Sequence, residues 1–152
     1  MKDFINDRWR PILVHNGLSD FGALWQLKAD WFEAPNHRRG GWSGVSRCEL
    51  ALPGGGTRAI FLKRQENHKA RLWTHPVRGA PTFLREFRHI QHYRACGVPT
   101  LEPVYFAMHK AGKDERAILV TEELTGFVSM EDRVQRWLKD GAPARPVRLR
   151  ML

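Results

Sequence analysis

Two stretches decide the fold: Arg58-Ala59-Ile60-Phe61-Leu62-Lys63-Arg64 and, after a basic interval, Pro81-Thr82-Phe83-Leu84-Arg85-Glu86-Phe87-Arg88-His89-Ile90. The first is rich in β-formers and reads as a strand that ends on a cation. The second opens with proline at a first helical position and carries Phe83, Phe87, Ile90 and Arg94 at i, i+4, i+7 and i+11, with Tyr93 alongside. Gly97 stops that helix and Pro99 follows it. Glu86 stands three residues after Phe83 and four before Ile90, so it projects from the apolar side. A carboxylate there is costly unless paired. Either it lies at the edge of the stripe and reaches water, or it meets a cation from a neighbouring element, and Lys63 is the candidate.

Working outward, residues 4–27 carry apolar groups in short runs and read as short helices broken at Pro11 and Gly17. Trp31–Ala34 is a strand candidate, and Pro35–Gly41 is a loop by composition. Trp42–Leu52 reads as a second strand, and Pro53-Gly54-Gly55-Gly56 as the turn into the third. Gln65–Gly79 reads as a basic linker before the helix. Val104–Met108 and Arg116–Glu122 are the fourth and fifth strands, joined by a polar turn at residues 110–115. A last helix runs from about Ser129, a natural N-cap, to Lys139. Three strands, a helix, two strands and a helix predict an α+β domain with a five-stranded antiparallel sheet. Phe83, Phe87 and Ile90 are expected to turn toward that sheet, together with Ile60, Leu62, Ile118 and Val120.

Composition narrows the function classes. With 152 residues, 42% apolar and 27% charged, the chain has material for one folded core. Its longest apolar run is five residues, Val104–Met108, whereas a membrane-crossing helix needs roughly twenty. The acids among residues 1–7 leave no secretory h-region. The two cysteines, Cys48 and Cys96, form no CxxC pair, so neither a zinc site nor a disulfide framework is indicated, and a cytoplasmic setting is expected. The net charge of +9 calls for anionic partners: nucleotide phosphates, anionic sugars, an acidic membrane surface or nucleic acid.

The order of elements is that of a protein-kinase small lobe. There a lysine on the third strand, bonded to a glutamate on the next helix, holds the α- and β-phosphates of ATP. The glycine loop fits that pattern less well. No GxGxxG is present, but Gly40, Gly41 and Gly44 follow Arg38 and Arg39. Backbone N–H groups in such a turn could cradle phosphate, or the segment is an ordinary hairpin turn. Glu122, Glu123 and Leu124 follow the fifth strand, where a kinase hinge would bond the adenine edge.

Beyond these elements, the segment Asp30 to Val45, the runs Phe61–Arg64, Gly79–Glu86 and Ala95–Pro99, and Ile118–Phe127 resemble the InaA-type lipopolysaccharide kinases of the Kdo and heptose kinase group. The resemblance runs from about Asp30 to Asp132. It implies a protein-kinase-like fold and an ATP- and Mg²⁺-dependent kinase for sugars of the lipopolysaccharide core, in contact with the inner face of the inner membrane. It implies that Lys63 is the phosphate lysine, Glu86 its partner and Glu122–Leu124 the hinge. Residues 1–29 would be a helical extension, 30–126 the N-lobe with one αC-type helix, and 127–152 the start of a helical C-lobe.

The departure from that family is large. No HRD-like or DFG-like segment occurs, and the aspartates after the hinge, Asp132 and Asp140, lack the strand-loop setting that metal binding needs. The chain therefore reads as truncated before the C-lobe and inactive alone, with its Mg²⁺ ligands in the missing lobe. Two rivals stand beside this reading. One is a non-catalytic kinase-like scaffold. The other is a basic nucleic-acid-binding module, suggested by the charge and six tryptophans but lacking any familiar nucleic-acid signature.

Overall fold

The computed structural model describes residues 2–38, 40–72 and 75–149. In chain order the elements are β1 (Phe4–Ile5), α1 (Arg10–His15), α2 (Phe21–Gln26), β2 (Trp31–Arg38), β3 (Gly41–Ala51) and β4 (Thr57–Glu66). There follow β5 (Lys69–Leu72), β6 (His75–Pro81), α3 (Thr82–Ala95), β7 (Pro103–Ala111), β8 (Asp114–Glu122), α4 (Met130–Asp140) and α5 (Arg145–Leu149). The main sheet has the order β1-β7-β8-β4-β3-β2, with every neighbouring pair antiparallel. The fold is the expected α+β arrangement with its αC-type helix, but the sheet has six strands rather than five. The extra strand, β1, is a two-residue edge pairing Phe4 with Phe106 and Ile5 with Tyr105. So short a strand owes its existence to the partner beside it and leaves no periodic trace in sequence.

The sheet is covered on both faces. On one side Ile60, Leu62, Ile118 and Val120 pack with Trp9, Leu13, Phe21 and Leu24 of the N-terminal segment. On the other, Phe83, Leu84, Phe87 and Ile90 of α3 pack on Phe106 and Leu119. Strand alternation explains the split: Ile60 and Leu62 point one way, Phe61 and Lys63 the other. The four strand residues grouped with the helix in the sequence reading thus belong to the opposite core. Arg64, on the face away from Lys63, fastens the N-terminal segment by donating to the carbonyls of Trp25 and Leu27 at 3.1 and 2.8 Å.

Three local expectations change. Pro11 does not break a helix; it sits in the first turn of α1, where its missing N–H is no loss. Residues 35–38 continue β2 instead of forming a loop. Pro35 is accommodated because β2 is an edge strand with register shifts around Glu33 and Asn36. The basic linker after Glu66 is the two-stranded β5–β6 hairpin, which leads directly into α3.

Candidate nucleotide-binding site

Strand β4 lies between β3 and β8, and Lys63 is paired across it with Val45 on one side and Leu119 on the other. From this central position its Nζ donates to Oε1 of Glu86, one turn into α3. Both side chains keep some exposure, 19% for Lys63 and 34% for Glu86, so the pair is reachable from solvent without being fully hydrated. It borders a hollow of about 290 Å³ lined by Phe32, Glu33, Val45, Phe61, Phe83, Leu101 and Thr121. The walls are chiefly apolar, and the Lys63 ammonium is the one cationic group among the lining residues. Phe32 and Phe61 meet edge to face at 5.0 Å and form one wall.

The glycines lie elsewhere. Gly40, at φ 77, makes the tight turn between β2 and β3. With His37, Arg38, Gly41, Trp42, Glu66 and Asn67 it lines a separate hollow of about 430 Å³ at the tip of the sheet. Gly41 is required sterically, since a Cβ there would fall 2.1 Å from the Glu66 carbonyl oxygen and 2.4 Å from the Asn67 carbonyl carbon. Gly44 is paired with Arg64, on the face opposite Lys63, and a Cβ there would strike the Trp31 ring at 2.7 Å. It is a seat for that indole. Arg39 lies outside the described residues.

At the other end of β8, the hinge candidates are held by their side chains and partly by their backbone. The N–H groups of Glu122 and Glu123 donate to the carbonyls of Glu102 and Ala59, both at 3.0 Å. The Glu122 carboxylate lies 3.1 Å from Arg58, and Arg47 grips Glu123 bidentately at 2.7 and 2.9 Å. Those hydrogen bonds, with the charge of Arg47, hold the Glu123 carboxyl below its usual range. Among the described residues, Leu124 is the hinge candidate whose N–H is not donated.

Gln65 escaped the sequence reading because it stood at the start of an assumed linker. It is fully buried. Its Oε1 accepts from Thr82 Oγ1 at 2.8 Å and from the Phe83 N–H at 3.0 Å, and its Nε2 donates to the His68 carbonyl at 2.6 Å. The available signal was its place two residues after Lys63, on the same strand face. Beyond these residues, Ser129 caps α4 by accepting from the Asp132 N–H at 3.0 Å, and its hydroxyl donates to the Asp132 carboxylate at 2.7 Å. Asp132 is thus part of a helix cap.

The sequence model of the lipopolysaccharide kinase (Kdo/WaaP) family matches residues 22–152. Protein InaA of Escherichia coli (strain K12) is 34% identical over 113 residues, covering 74% of this chain and 50% of that protein. A solved structure, WaaP in complex with acyl carrier protein, superposes with a TM-score of 0.59 at 22% identity, over 95% of this chain and 50% of that one. The chain spans about half the length of these relatives.

Proposed function

The chain belongs to the lipopolysaccharide kinase (Kdo/WaaP) family, and from that premise we propose that it forms the nucleotide-gripping lobe of an ATP-dependent kinase acting on lipopolysaccharide core sugars. The observation that carries the proposal is the Lys63–Glu86 pair at the edge of a largely apolar hollow. Lys63 would place its charge on the ATP phosphates, and Glu86 would hold that charge in one geometry, so that little reorganisation accompanies binding. Val45, Phe61 and Leu101 offer apolar surface for the base, and the Leu124 N–H a donor for its edge. Gly40, Gly41 and Arg38 line another hollow, so any phosphate contact from the glycine turn would need the β2–β3 tip to bend toward Lys63.

Residues 1–29 would serve as a supporting extension, 30–126 as the lobe and hinge, and 127–152 as the entry to a helical second lobe. Among the described residues no three His, Cys, Asp or Glu side chains converge as a metal site. We assign Mg²⁺ ligands, the acceptor base and the sugar site to that second lobe, and expect negligible turnover from this chain alone. No described helix is long and apolar enough to cross a membrane. The +9 charge would favour a peripheral contact with the inner face of the inner membrane from the cytoplasmic side.

The nucleic-acid alternative is disfavoured by where its residues go. Arg58, Arg64 and Arg116 lie over Trp9, Trp31 and Trp25 at 5.3, 4.9 and 4.8 Å, so basic and aromatic groups are matched within the chain. A non-catalytic scaffold remains the second reading, favoured by the uncovered apolar face of α4. Calorimetric titration with ATP separates it from the first. Weak binding by the wild type, lost in Lys63→Ala and reduced in Glu86→Gln, supports the nucleotide lobe. Equal affinity in all three proteins, or turnover of labelled ATP onto core oligosaccharide by this chain, would overturn the proposal as stated.

A further inference from the structure

Helix α3 has no cap of its own. Its N-cap position is Pro81, which offers no side-chain acceptor, and its first turn contains no acid. The Phe83 N–H is one of the donors that a helix N-terminus leaves without an intrahelical partner. It is satisfied from another element, by the buried amide of Gln65 on β4. The orientation of that amide follows from its neighbours: two donors meet Oε1, and one carbonyl meets Nε2.

The same strand therefore holds the same helix at two points. Gln65 grips Thr82 and Phe83, and Lys63 grips Glu86. Residues two apart on a strand lie about 7 Å apart on one face. Residues three apart on a helix are separated by about 5 Å along its axis, again on one face. The two contacts thus fix position and rotation together: neither a slide of one turn nor an outward swing of the helix start is available while Gln65 keeps both donors.

We propose that Gln65 is the positioning residue that presets the Lys63–Glu86 pair, holding α3 in its engaged register before any nucleotide binds. The inference rests on the reading of Lys63 and Glu86 as the phosphate-holding pair, and it adds that the pair's geometry is supplied by the strand and not induced by ligand.

The test uses the full 152-residue chain. Gln65→Met keeps the volume and removes the hydrogen bonds, and Gln65→Glu restores the acceptor. Amide exchange without nucleotide should be about tenfold faster through residues 83–87 in Gln65→Met, as expected for losing a buried hydrogen bond. It should be largely restored in Gln65→Glu, and β4 and β8 should exchange as in the wild type. ATP affinity should fall about tenfold in Gln65→Met but change less than about twofold when the substitution is made in a Glu86→Gln background, because the effect acts through Glu86. Unchanged α3 exchange, or an equal loss of affinity in both backgrounds, overturns the assignment. If the wild type binds no nucleotide, the proposed function fails and the exchange measurement alone decides for or against Gln65. If Gln65→Met does not fold, Thr82→Val, which removes one donor, should accelerate the same amides to a smaller degree, and no acceleration counts against the proposal.

Discussion

Helices α3 and α4 carry the same signal and meet opposite fates. In α3, Phe83, Phe87 and Ile90 make a stripe that is 8%, 4% and 4% exposed. In α4, Met130, Val134 and Leu138 make a stripe of equal regularity, with a better cap, yet they are 53%, 40% and 76% exposed, and no residue of the helix is buried. Amphipathicity thus records that a helix is shaped for a partner, not that the partner is present. For α3 the partner is the sheet. For α4 nothing among the described residues covers the stripe, and a helical second lobe is the partner we propose.

Substitutions at matched stripe positions break this comparison most directly. Phe87 stacks on Phe106 at 4.3 Å and touches Phe4 at 5.1 Å. Phe87→Ala should cost about 3–5 kcal/mol in chemical denaturation, whereas Leu138→Ala should stay within about 0.5 kcal/mol. Comparable losses at both sites would mean that α4 docks on another surface of the protein in solution.

The contrast also marks what the sequence could reveal. Helix α3 was readable because its stripe, its opening Pro81 and its closing Gly97 agree. Lys63 and Glu86 were readable because a cation ending an apolar strand and an acid on an apolar helix face are each costly without the other. The two-faced sheet was less plain, although Ala59-Ile60-Phe61-Leu62, apolar at every position, is what a strand covered on both sides looks like. Strand β1 and the β5–β6 hairpin were not readable. Strand β1 is only two residues long and is supplied by its distant partner β7, whereas the β5–β6 hairpin is local but short, and its basic residues read as a linker. Gln65 was hidden for a related reason: its value depends on which helix end lies opposite, and one sequence does not display that.

A second measurement sharpens the comparison through the caps. Ser129→Ala removes the α4 cap, which should cost that helix about 1 kcal/mol. If α4 is undocked, the loss stays local: amides of residues 131–136 exchange faster while the global unfolding midpoint does not move. A shift of the midpoint by several degrees would show that α4 belongs to the cooperative unit.

A third, smaller effect concerns association. An uncovered stripe beginning at Phe127, itself 76% exposed, should promote self-association. Val134→Glu with Leu138→Glu should lower the apparent mass at high concentration in sedimentation while leaving thermal stability essentially unchanged. Identical sedimentation of variant and wild type would show that the stripe is not sticky in isolation.

The smallest expected effect lies at the seam between the two regions, where Glu123 is among the last residues tied to the sheet before the chain leaves for α4. Its carboxyl is held low chiefly by the hydrogen bonds from Arg47 and also by that residue's charge, although partial loss of hydration acts in the opposite direction. A group whose folded pKa lies below its unfolded value stabilises the fold above the unfolded pKa, and the contribution is lost as pH falls through the folded pKa. The pair is solvent-exposed, so its share of global stability is small and declines with salt. Its local signature is sharper: in an NMR titration, Glu123 should protonate at lower pH than an ordinary glutamate, and Arg47→Ala should return it to the ordinary range. The same substitution should loosen amides from Glu123 to Gly126 without touching those of α3. A Glu123 titration indifferent to Arg47 would mean that the bidentate contact does not persist in solution, and the boundary between the ordered lobe and its uncovered continuation would then begin at Glu122.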